Sequence, residues 1–162
     1  MKGTPRLETL EVLSVGLPFC VFKLAAGGAF RAFGGAWGAA GTILMALGVV
    51  DLLFNGANFA GLVLIRRRVL DACFLSFAAR QFQGRARRSR WTLQDLGNSL
   101  DVLISFSLVA YMVGAGKLGL LSPDVLTLWD VAVVLNVLGA GLGRFTESVR
   151  NLSELDEPKT SP

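Results

Sequence analysis

The sequence predicts an all-α polytopic membrane protein with four transmembrane helices arranged as two helical hairpins. Three observations carry this. Hydrophobic residues make up 52% of the chain and charged residues only 17%, whereas about a quarter of a soluble domain is charged. The apolar residues gather into four runs, 10–30, 40–65, 98–121 and 125–145, each near the roughly 20 residues a spanning helix needs. The runs are continuous rather than alternating. That is the pattern of helices, which satisfy their own backbone in lipid, and not of a barrel strand. At 162 residues the chain reads as a single membrane domain, 1–162.

Taken in order, helices are expected at about 7–30, 38–66, 92–121 and 123–150, with an arginine-rich linker at 66–91 and a disordered tail at 156–162. Thr4-Pro5 offers a cap followed by proline at the first helical position, and Ser122-Pro123-Asp124 repeats that signal before the fourth helix. Thr92-Leu93-Gln94-Asp95 reads as a capping box opening the third. Phe145, Val149 and Leu152 keep a helical spacing that carries the last helix beyond its apolar run. Residues 69–83 suit either an interfacial helix or a prolongation of the second span, and Gly84 with Arg85–Arg90 suits an exposed turn.

Charge sets the expected orientation. Residues 66–90 hold Arg66, Arg67, Arg68, Arg80, Arg85, Arg87, Arg88 and Arg90 against Asp71 alone, a local +7 that outweighs −3 elsewhere and gives the net +4. Such a segment stays cytoplasmic, which places both termini on the same side in the plasma membrane. Between two apolar spans the nearest anions are lipid phosphates, so these arginines are read as contacts to anionic headgroups or a cytoplasmic partner, and nucleic acid is disfavoured. Lys23 and Lys117 are expected to snorkel to the opposite headgroups. Glu11 and Asp101 are expected to sit near helix N-termini, where acids are favoured, and either could also meet a linker arginine.

An internal repeat is suggested by Thr9-Leu10-Glu11-Val12-Leu13 against Ser99-Leu100-Asp101-Val102-Leu103, and by Asp51, Asn58 and Gly61 against Asp130, Asn136 and Gly139. Two spans per half make a parallel repeat. The small-residue pairs Gly34/Gly38, Gly56/Ala60 and Gly139/Gly143 would let helices, or a second copy in a homo-oligomer, approach closely.

The chemistry available is narrow. There is no histidine, and Cys20 and Cys73 form no CxxC pair, so the sequence implies no metal and no cofactor. No P-loop, GxGxxG or acid–base–nucleophile set is present, so the chain is not read as an enzyme. What stands out is Asp51 in the middle of the second span, with Asn55 and Asn58 at i+4 and i+7 on the same face. A charge at that depth costs about 2.5–3.5 kcal/mol on the insertion scale and marks a functional-site candidate. Asp130 and Asn136 repeat the residue types in the fourth span. A Lys23–Asp51 ion pair is the alternative to a snorkelling lysine. The sequence therefore favours a small channel- or transporter-like protein with an intramembrane Asp/Asn site for a cation or proton. The alternative is a non-catalytic interaction subunit or lipid-binding scaffold whose buried polar residues only hold the helices together.

Overall fold

A computed structural model describes residues 5–82 and 93–155, and all regular structure among them is helical. Helix α1 (Pro5–Glu11) passes through a π-helical turn (Val12–Gly16) into α2 (Leu17–Arg31). The others are α3 (Gly35–Ile65), α4 (Phe74–Phe82), α5 (Leu93–Gly114) and α6 (Pro123–Leu155), with a 3-10 turn at Lys117–Leu120. Four of these stretches are long and apolar enough to cross a membrane: Arg6–Arg31, Gly35–Ile65, Asp95–Gly114 and Pro123–Gly143.

The π turn has a local cause. Pro18 has no N–H, and its ring crowds the carbonyl four residues back, which is Ser14. The turn widens, so the Leu17 N–H reaches Val12, and the Ser14 carbonyl takes a side-chain donor from another helix instead: Asn136 Nδ2 at 3.2 Å.

The α1–α2 helix is the centre of the molecule. Helix α3 runs antiparallel along α2, backbone against backbone: a Cβ at Gly41 would lie 2.5 Å from the Gly27 carbonyl oxygen. Helix α6 lies closest to this first helix among its neighbours, and α5 packs on both it and α4. The core between them is formed by Phe19, Phe22, Ala26 and Phe30 from α2, Leu108 and Met112 from α5, and Trp129 and Ala132 from α6. The outward faces of α3, α5 and α6 keep large apolar side chains exposed, among them Leu53, Val63, Leu103 and Val137, as lipid-facing surfaces do.

Three expectations change. The third helix stops at Gly114 rather than near 121, because Gly116 turns into the left-handed region (φ 64°) before the 3-10 turn. The fourth continues to Leu155 rather than 150. The linker neither prolongs α3 nor starts as an interfacial helix. At Arg66 (φ 55°) the chain reverses, and the Arg67 N–H closes onto the Gly61 carbonyl at 3.4 Å. It then folds back along α3 until the Phe74 N–H reaches Asp51, 14 residues before Ile65 and so about 21 Å along the helix axis. Helix α4 starts there and packs on α5, whose Gly97 has no room for a Cβ against the Leu75 carbonyl (2.6 Å). Thr4, Thr92, Trp91, Arg85, Arg87, Arg88, Arg90 and the tail 156–162 lie outside the described residues.

Candidate functional site

The site is built where the first helix, α3, α5 and the folded-back segment meet. Lys23 on α2 is 1% exposed, and its Nζ lies 2.6 Å from Asp51 Oδ2 on α3 while also donating to Asp101 Oδ1 on α5. The expectation that Lys23 snorkels is therefore overturned, as is the placement of Asp101 at a helix end: both are interior, and Asp101 is 5% exposed. The reason is depth. Lys23 sits more than two turns from Arg31, and two carboxylates on neighbouring helices stand closer than any headgroup. The Lys23–Asp51 pair weighed from sequence is present, with Asp101 added to it.

Asp51 spends both oxygens. Oδ2 accepts from Lys23, and Oδ1 accepts the Phe74 N–H at 2.7 Å. It thereby caps α4, a nine-residue helix whose N-terminal dipole favours an anion. One ammonium between two carboxylates leaves the cluster one negative charge in excess. Removing a single partner from such a buried set leaves an uncompensated charge.

The asparagines have different duties. Asn58, fully buried, accepts the N–H groups of Val69 (3.0 Å) and Leu70 (2.7 Å) on Oδ1 and donates Nδ2 to the Asp71 carbonyl at 3.0 Å. It staples the returning chain, whose backbone needs partners wherever lipid excludes water. Asn55 donates to the Asp51 carbonyl at 2.9 Å and packs on Gly16. Asn136 meets Ser14, far along the first helix from the charged cluster. Asp130 is exposed on α6 and does not join the site. Six residues from Asn136, about 240° round the helix, it faces away.

A cavity of about 60 Å³ reaches the cluster, enough for a few water molecules. Lys23, Asp51, Asp101, Asn55 and Cys73 line it with buried side chains, and Glu11, Arg68 and Asn98 with more exposed ones. Arg68 is held by Glu11 (2.5 Å) and Glu8 (3.5 Å). Burial pushes the Cys73 thiol above its ordinary range, with the Asp101 carboxylate adding to the effect. On the other side of the cluster lies the aromatic and aliphatic core of Phe22, Phe30, Met112 and Trp129.

Of the arginines read as lipid or partner contacts, Arg66 and Arg67 are exposed, Arg68 is drawn into the mouth, and Arg80 pairs with Asp71 at 3.1 Å. Lys117 remains near the opposite end, its ammonium 5.7 Å from the Phe33 ring centre. Sequence reasoning underrated Asp101 and missed Asn98, whereas the contact of Glu11 with a linker arginine is present as Arg68–Glu11. The available signal was the presence of charged residues inside apolar runs, Lys23, Asp51 and Asp101 among them. No protein-family model, curated protein or solved structure matches the chain.

Proposed function

We propose that the chain is a small channel- or transporter-like membrane protein whose cation or proton site is the Lys23–Asp51–Asp101 cluster. One observation carries the reading: a buried cluster of one ammonium and two carboxylates lines a cavity inside the helices. Bundles held only by polar contacts need no access route and no excess charge. Isolated charges at membrane depth are costly and mark ion pathways. A segment of irregular backbone that ends on a half-helix beside a charged site is also the arrangement of ion-coupled carriers.

The residues divide the work. Glu11 and Arg68 stand at the entrance, and Asn98 offers an amide along the way. The cluster accepts the positive charge, and the apolar core of Phe22, Met112 and Trp129 seals the far side. In this reading the arginine-rich end and both termini are cytoplasmic, the spans pair as two hairpins related by a parallel repeat, and copies associate into a homo-oligomer. Asn58 and Asn136, each buried and donating to a backbone carbonyl, support the repeat, whereas Asp51 and Asp130 part company in burial.

The test is ion flux into liposomes holding the purified chain. Flux that disappears in Asp51→Asn at unchanged expression supports the site; equal flux in wild type and variant refutes it. The scaffold reading is favoured by a separate observation, namely that Asn55, Asn58 and Asn136 are all spent on backbone groups. It expects no flux, and expects retention of anionic lipid that falls when Arg66 and Arg67 become Gln, at about 1 kcal/mol per arginine.

A further inference from the structure

Resting on that reading, we infer that the ion taken by this site is the proton and that Asp101 receives it. A metal cation gives up its hydration shell only where several oxygens replace it. Here three of the four carboxylate oxygens are already engaged. Asp51 gives one to the Lys23 ammonium and the other to the Phe74 N–H. Asp101 gives Oδ1 to the same ammonium. The Asn55 side chain is fixed between the Asp51 carbonyl and Gly16. The position between the carboxylates, where a cation would sit, holds Lys23 Nζ. No group of three or more His, Cys, Asp or Glu side chains with metal-binding spacing occurs among the described residues.

Of the carboxylate oxygens of the cluster, what is left is the second oxygen of Asp101, which has no protein partner among the described residues, on a side chain that lines the cavity. A proton needs one lone pair, and one proton brings the cluster from −1 to neutral. The step is balanced: a hydronium ion in the cavity gives a proton to Asp101 Oδ2, one O–H bond forms as another breaks, and water remains. Neutral Asp101 then holds the ammonium less strongly, and Lys23 stays with Asp51, whose two oxygens keep their two donors. The charged and titratable groups around Asp101 are Lys23 and Cys20 from α2, Asp51 from α3, Cys73 from the returning segment, and Glu11 and Arg68 at the mouth.

The test uses the full chain in liposomes, with internal pH and Na⁺ and K⁺ uptake followed in parallel. Infrared spectra of the same samples across pH report protonated carboxyl. The expected result is proton uptake that is unchanged when Na⁺ replaces K⁺, falls at least about a hundredfold in Asp101→Asn and persists in Asp101→Glu. A protonated-carboxyl band that grows as pH falls and is missing in Asp101→Asn is expected with it. Uptake of Na⁺ or K⁺ that is lost in Asp101→Asn, with no proton uptake, overturns the proton assignment and leaves the ion site standing. If wild type carries no ion at all, the transport reading fails, and the infrared band alone decides whether Asp101 binds a proton: its absence overturns the assignment.

Discussion

Lys23 is held by two carboxylates from two other helices, so the charge at one residue ties three spans together. Lys23→Met leaves both acids buried without a cation. It should destabilise the protein by about 3–5 kcal/mol, the range for breaking a buried ion pair. Adding Asp51→Asn and Asp101→Asn should recover most of that loss, which unfolding in detergent can measure. Asn58 makes a different argument at the same scale. Asn58→Leu strands two N–H groups and one carbonyl on the returning chain, at about 1–3 kcal/mol for each group left unsatisfied. Faster hydrogen exchange at Val69 and Leu70, with little change in α6, is the outcome to look for. Asp51 and Asn58 were legible in the sequence as polar residues on one helix face. Their partners were not, because a side chain's neighbours across helices leave no mark in local spacing.

At the scale of elements, close approach and backbone reversal matter most. Gly41 and Gly27 let α2 and α3 touch through their backbones, whereas Gly56 has open space around its Cβ position. Gly41→Leu should therefore prevent α2 from seating on α3 and abolish the folded fraction, while Gly56→Leu should leave the unfolding midpoint within about 0.5 kcal/mol of wild type. Composition alone gives these two glycines equal standing, and only packing separates them. The four spans were legible because lipid imposes length and apolarity on any helix that crosses it. The early end of α5 and the return of residues 66–74 were not. Each depends on residues in left-handed backbone, and one of them, Arg66, is an arginine that no turn rule singles out.

For the whole molecule, the cavity follows the first helix from Glu11 to Lys23, and the apolar core follows it from Phe19 to Phe30. In a chain with Cys20 and Cys73 replaced by Ala, Asn98→Cys should react with a small hydrophilic thiol reagent added at the arginine-rich end. Met112→Cys, placed in the core at 0% exposure, should stay unmodified from both sides. Labelling of Met112→Cys at a rate near that of Asn98→Cys, scored by mass shift, would show a continuous aqueous path and contradict one-sided access.

The sequence by itself determined the helical class, the number and approximate bounds of the spans, the arginine-rich end, and the presence of acids and amides where lipid tolerates few. All of these follow from local composition and from the thickness of the solvent the chain must cross. Tertiary structure alone decided that Lys23 turns inward, that Asp101 joins it, that Asp130 does not, and that the chain after α3 returns to cap its short helix on Asp51. These depend on which helix lies beside which. A buried charge takes the partner that packing brings within hydrogen-bond reach, and that proximity arises only once the chain has folded.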